Sequence, residues 1–149
     1  MLQQIAVFLE NRKGRLAMCT RILGDHGIDL IALSIADTTD FGIMRCIVDQ
    51  PEKTIAVLTQ GGFTASSMDV LAVEVPDVPG GLAGVLELVD DAGINVEYLY
   101  SFVRTPGENA LITFRVDDPE RCHALFTENG ITVLSDEEIY GSTVEKKRG

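Results

Sequence analysis

The chain has 149 residues, 46% of them hydrophobic, and sets 12 Lys and Arg against 23 Asp and Glu for a net charge of −11. So acidic a chain has no basic face to neutralise phosphates, which excludes nucleic acid as a partner. No apolar run approaches a membrane span and the N-terminus lacks a charged-then-apolar leader, so a cytoplasmic protein of one medium domain or two small ones is expected.

Leu2–Leu9 reads as a strand with Ile5, Val7 and Leu9 on one face. Leu16, Cys19, Ile22 and Leu23 then follow helical spacing, closing at Gly24 to Gly27. Ile28–Ala36 and Phe41–Asp49 are β-rich and flank the turn cluster Asp37-Thr38-Thr39-Asp40, which predicts a hairpin. Pro51 with Glu52 opens a second helix that stops at Gly61-Gly62, and Phe63–Met68 reads as a short fourth strand. The order then starts again. Val70–Val75 is a strand, and Leu82, Val85, Leu86 and Val89 share one helix face. Ile94–Arg104 and Ala110–Asp117 are strands, Pro119–Asn129 is a helix, and Ile131–Glu138 reads as a last strand.

The second half restates the first in its residues as well. Asn11-Arg12-Lys13-Gly14 before Leu16-Ala17 returns as Asp77-Val78-Pro79-Gly80 before Leu82-Ala83. Gly27-Ile28-Asp29 returns as Gly93-Ile94-Asn95, and Val48 to Lys53 as Val116 to Arg121. The offset is 66 residues at Gly14 and Gly80 but 68 at Pro51 and Pro119, which places two extra residues most simply in the Thr105–Asn109 turn. A period this long is a duplicated small domain rather than a solenoid unit. Each β-α-β-β-α-β copy, joined by right-handed crossovers, predicts an α+β fold of two tandem ferredoxin-like domains, each an antiparallel sheet with both helices on one face. The boundaries read as 1–69 and 70–140, with 141–149 as a solvated tail. The junction Ser66-Ser67-Met68-Asp69 is too short for an independent linker, and halves this small are expected to pack together.

Catalytic motifs are missing from the sequence. It carries no phosphate loop, no dinucleotide fingerprint, and no Ser or Cys set beside a His and an acid. His26 and His123 have no carboxylate or second His at ligand spacing, so neither metal nor cofactor is expected. Cys19, Cys46 and Cys122 fall on apolar positions and read as buried hydrophobes in a reducing compartment. The feature that remains is the turn before the first helix of each copy. Gly14 and Gly80 would expose first-turn N–H groups, which lack partners inside the helix and favour a carboxylate. Glycine there either admits a ligand to the backbone or only makes the turn.

The apolar strand, the turn Asn11-Arg12-Lys13-Gly14-Arg15-Leu16 or Asp77-Val78-Pro79-Gly80-Gly81-Leu82, the helix, and then Gly27-Ile28-Asp29-Leu30 or Gly93-Ile94-Asn95-Val96 together resemble the ACT domain. The resemblance covers both copies, roughly Gln4–Met68 and Val70–Glu138. It implies a regulator of amino-acid metabolism, a role such domains play in aspartokinase and phenylalanine hydroxylase. It also implies a small ligand, usually an amino acid, held where two domains meet. One domain supplies the strand–helix turn, and its neighbour supplies the start of its second strand. Carried over, the ligand-binding positions are Asn11, Gly14 and Leu16 with Asp29, and Asp77, Gly80 and Leu82 with Asn95. Arg12 and Arg15 stand beside the first turn, and Lys13 replaces the proline that the family commonly has and that Pro79 provides in the second.

With no catalytic domain attached, the expectation is a stand-alone, non-enzymatic sensor. It would bind an amino acid, form a homodimer, and pass its state to a separate protein, an enzyme of amino-acid metabolism among the candidates. Two other readings stay open. One is an interaction subunit with vestigial pockets. The other is a small acylphosphatase-like enzyme, for which Arg12 or Arg15 would hold phosphate. The pockets also admit two pairings. If each joins the turn of one half to the strand start of the other, Asn11 meets Asn95 and Asp77 meets Asp29. If like halves pair across a dimer, each pocket holds one Asn and one Asp.

Overall fold

The computed structural model describes residues 1–37, 40–102 and 109–140. The tip of the predicted first hairpin turn, the Thr105-to-Glu108 part of the second and the 141–149 tail lie outside the described residues. Chain contacts separate two compact units. The first is Gln3–Met68; the second runs from Asp69 and takes in Met1–Leu2.

The first unit contains β1 (Leu2–Glu10), α1 (Arg15–Asp25), β2 (Leu30–Asp37), β3 (Phe41–Val48) and α2 (Pro51–Gln60), and ends in β4 (Thr64–Val75). β3 pairs antiparallel with both β1 and β2, with Val7 opposite Met44 and Ile35 opposite Met44 from the other side. Alternation puts Ile5, Val7 and Leu9 on one face, together with Met44, Cys46 and Val48 across the ladder. Cys19 and Leu23 of α1 and Val57 and Leu58 of α2 close over that same face in a single core cluster, so both helices cover one side of the sheet.

The second unit repeats the plan with the rest of β4, α3 (Gly81–Asp91), β5 (Val96–Ser101), β6 (Ala110–Val116), α4 (Pro119–Glu128) and β7 (Val133–Leu134). Its strands lie in the order β7-β4-β6-β5, all antiparallel. That is the ferredoxin-like order, with the first and third strands central. Val85 and Val89 of α3 and Cys122 and Phe126 of α4 pack on Leu71, Val73, Val75 and Phe114. Phe114 and Phe126 meet edge to face with centroids 5.9 Å apart, the offset that ring quadrupoles prefer.

The duplication extends to the hydrogen bonds. Asp29 N–H donates to the Asp49 carboxylate at 2.9 Å, and Asn95 N–H to that of Asp117 at 3.0 Å. The cation three residues inside the next helix turns back in both copies. Lys53 Nζ donates to the His26 carbonyl at 2.8 Å, and the Arg121 guanidinium donates to the Ala92 carbonyl. Each device ties the second helix of a unit to the loop that follows its first helix. Positive charge so placed also suits the carbonyl end of the first helix.

Three expected boundaries differ. The strands expected over Phe63–Met68 and Val70–Val75 are one unbroken β4, because nothing in Ser66-Ser67-Met68-Asp69 breaks extended backbone. The strand expected over Ile94–Arg104 is described over Val96–Ser101. The last strand is the largest departure. Instead of spanning Ile131–Glu138 it pairs only at Val133 and Leu134, and residues 136–140 turn helical. The reason is a capping box: Glu138 N–H donates to Ser135 Oγ at 3.2 Å, and Ser135 N–H donates to Glu138 Oε1 at 3.3 Å.

Candidate functional site

Both first helices open on a left-handed glycine. Gly14 has φ +90° and Gly80 φ +84°, and neither helix receives a side-chain cap. α4, by contrast, is capped by Asp118, whose carboxylate accepts from Arg121 N–H at 3.2 Å. Arg15 N–H donates to the Arg12 carbonyl at 3.3 Å and Gly81 N–H to the Val78 carbonyl at 3.0 Å. The helical ladder begins only with Met18 donating to Gly14 and Gly84 donating to Gly80. Between them, the N–H groups of Leu16 and Ala17, and of Leu82 and Ala83, have no helical carbonyl to reach.

At the first turn this helix end borders a cleft of about 330 Å³ lined by Leu9, Glu10, Asn11, Arg12, Leu16, Ile35 and Gly42. The cleft brings together three of the expected residues, Asn11, Arg12 and Leu16. It adds four that motif reasoning missed: Leu9, Glu10, Ile35 and Gly42. Strand register explains the additions. Leu9 lies opposite Gly42, and Gly42 opposite Asp37, so Ile35, two residues from Asp37, projects onto the same face as Leu9. Only the pairing of β1, β3 and β2 makes these distant residues neighbours. Leu16 and Ile35 stay 42% and 43% exposed on the rim.

The two arginines at the turn are engaged by the protein. Arg12 pairs with Glu10 at 3.3 Å, and both side chains remain largely exposed. Arg15 lays its guanidinium over the Phe63 ring, 4.3 Å from its centroid, in a cation–π contact. Asn11 N–H donates to the Asp40 carbonyl at 2.9 Å, which ties the turn to the start of β3.

Asp29 and Asn95 lie at the far end of their own units. Leu30 pairs with Val48 whereas the turn end of β3 is Gly42, six residues away, or roughly 20 Å along a strand. In the second unit Val96 pairs with Val116, again six residues from Ala110, which faces Val75 next to the Pro76–Gly80 turn. Within a unit, therefore, the turn and the second-strand start do not meet. The second turn carries Asp77, Val78 and Pro79, all exposed.

The two turns also differ in how tightly they are drawn. A Cβ at Gly81 would stand 2.0 Å from the Pro76 carbonyl oxygen, whereas a Cβ at Gly80 would meet nothing within 4 Å. Gly80 is thus needed for its dihedral angle, and Gly81 for the close approach of the chain to itself. A side chain at Gly80 meets torsional strain, and one at Gly81 meets steric exclusion.

The three cysteines are fully buried in the two cores and unpaired. Burial pushes the Cys46 thiol up to about 12, with Cys19 nearby adding to the shift. It pushes Cys19 to about 11 against the partly offsetting charge of Arg15, and Cys122 to about 11 with Asp117 and Asp118 contributing. Among the described residues no group of three or more His, Cys, Asp or Glu could hold a metal ion, and no helix is long and apolar enough to cross a membrane.

Two βαββαβ units, each opening its first helix on a left-handed glycine, define a tandem ferredoxin-like protein. The family model for an ACT domain pair matches residues 1–142, and the chain belongs to that family. Among solved structures it is similar to protein BT0572 from Bacteroides thetaiotaomicron, at 35% identity and a TM-score of 0.86 over 93% of this chain and 95% of that one. The regulatory subunit of aspartate kinase from Thermus thermophilus, in a ligand-free form, shares the fold at 17% identity and a TM-score of 0.63, over 85% of this chain and 91% of that one. The corresponding subunit from Thermus flavus does so at 14% identity and a TM-score of 0.59, over 85% and 90%. No curated protein matches the chain.

Proposed function

We propose that the protein is a non-catalytic cytoplasmic regulator that binds an amino acid at the strand–helix turn of its first unit and signals to a separate enzyme of amino-acid metabolism. The observation that carries this reading is the cleft that gathers Asn11, Arg12 and Leu16 beside the uncapped N-terminus of α1. The α-carboxylate accepts from the N–H groups of Leu16 and Ala17, which gain a partner there at the positive end of the helix. The left-handed backbone at Gly14, without a Cβ, leaves that approach open. Asp29 and Asn95 lie far from the turn of their own unit, so either reaches a ligand only from a neighbouring domain, where its side-chain oxygen receives the ammonium. A homodimer supplies such neighbours. Membership of the ACT pair family and the fold shared with the aspartate kinase regulatory subunits support a regulatory role.

An interaction subunit with a vestigial pocket describes the second turn better. Asp77 replaces Asn11 there, no basic residue accompanies it between Pro76 and Leu82, and a ligand carboxylate would be repelled.

Calorimetric titration with the standard amino acids tests the reading, alongside the variant Ala17→Pro. Proline is tolerated in a first helical turn and deletes one proposed donor. We expect at least one amino acid to bind the wild type, and about tenfold or greater weakening in the variant, the loss of a hydrogen bond to a charged group. Thermal unfolding checks that the variant folds. Failure of every amino acid to bind at millimolar concentration would sink the proposal. Asp29→Ala beside Asn95→Ala then separates the pairings: loss in Asn95→Ala alone supports a pocket joining unlike halves, and loss in Asp29→Ala alone supports like with like.

A further inference from the structure

Resting on the ligand reading above, we infer that the first-unit cleft selects an amino acid with an apolar aliphatic side chain, and that Gly42 and Ile35 determine this selectivity. Past the turn itself, the lining turns apolar. Leu9 forms its floor, Leu16 of α1 and Ile35 of β2 its walls, and Gly42 lines it without contributing a side chain. Leu16 and Ile35 are among the few large hydrophobic side chains left exposed, and an aliphatic ligand covers both.

Charge points the same way. The cation that lines the cleft, Arg12, is already paired with Glu10, and Arg15 is spent on Phe63. A ligand side chain entering between Leu9, Leu16 and Ile35 finds no opposite charge reserved for it, so an acidic or basic side chain loses hydration without compensation.

Comparison of the two copies isolates the determinants. Val7 and Met44 pair as Val73 and Ile112 do, so the register aligns Gly42 with Ala110, Leu9 with Val75 and Ile35 with Ser101. The second copy has a methyl group where the first has no side chain, and a hydroxyl where the first has an aliphatic wall. The aliphatic site is therefore a property of the first unit, with one ligand per chain.

The experiment is calorimetric titration of the full chain with L-leucine, L-valine, glycine, L-aspartate and L-lysine. We expect leucine or valine to bind about tenfold or more tightly than aspartate and lysine, with one site per chain. Gly42→Val adds a branched side chain on the face it shares with Leu9, and should weaken leucine about tenfold or more while glycine changes little, the scale of methylene discrimination in an apolar pocket. Ile35→Ser copies the second repeat at an exposed edge position where folding is spared, and should weaken leucine and leave glycine unchanged. Preference for aspartate or lysine overturns the inference while leaving amino-acid binding intact. So does leucine affinity unmoved by Ile35→Ser. Absence of binding by all five, together with every other standard amino acid, overturns the functional reading as well.

Discussion

The thiols show how a residue's surroundings override its intrinsic chemistry. Cys19, Cys46 and Cys122 sit where an apolar side chain packs, and burial raises all three pKa values to about 11, 12 and 11. An unfolded thiol ionises near its ordinary value of 9.0. Between that pH and the folded values the unfolded state binds fewer protons than the native state, so stability falls as pH rises through this window. The slope reaches about 1.4 kcal/mol per pH unit for each thiol that titrates only on unfolding. Denaturant midpoints between pH 8 and 11 should therefore decline, and more gently in Cys46→Ala than its lower starting stability alone predicts. Equal slopes in the two proteins would show that this thiol does not carry the effect. Native protein should also resist alkylation at neutral pH, since the thiolate is the nucleophile.

Single elements differ between the copies in ways that follow from one or two residues. Arg15 and Gly81 occupy equivalent places at the start of α1 and α3, yet only the second stands where a Cβ would come within 2.0 Å of a backbone oxygen. We expect Gly81→Ala to destabilise by about 2 kcal/mol or more, because the obstacle is backbone and the turn must shift. Gly84 lies three residues further along the same helix, with nothing within 4 Å of the added atom. Gly84→Ala should stabilise by roughly 0.5–1 kcal/mol, the ordinary helix-interior gain. Parallel thermal melts check the pair, and a common sign for both changes would refute the distinction. Most helices were legible in the sequence because their buried pairs recur at four-residue spacing, as Cys19 with Leu23 and Val85 with Val89 do. Ile131–Glu138 reads as strand because Ile131, Val133 and Leu134 outweigh, in local pattern, the capping box that Ser135 and Glu138 form. That box was itself visible as Ser-Asp-Glu-Glu.

At the scale of the whole molecule, the proposed pocket is incomplete in an isolated unit. Asp29 and Asn95 each lie roughly 20 Å of strand from the turn of their own unit. The proposed homodimer supplies further neighbouring domains, and β2, an edge strand in the order β2-β3-β1, carries the exposed Ile35 into whatever covers it. Light scattering coupled to size exclusion should give a particle of twice 16.2 kDa at micromolar concentration, with ligand shifting any dissociation toward the dimer. A strictly monomeric particle with undiminished ligand affinity would remove the dimer from the proposal.

The duplication, the order of elements in each copy and the two glycine turns are legible in the residues alone. These are local properties: helical and strand periods, turn residues and a repeated string all act over a few neighbouring residues. The same signals place Asn11, Arg12 and Leu16 at the turn that borders the cleft. The remaining lining residues, Glu10 beside the turn and the apolar trio Leu9, Ile35 and Gly42, carried no motif. Gly42 reads as an unremarked glycine in a strand, and Ile35 as an ordinary β-branched residue. They reach the cleft through the folded sheet, because antiparallel register fixes which distant residues share a face, and that register is set by long-range pairing between strands.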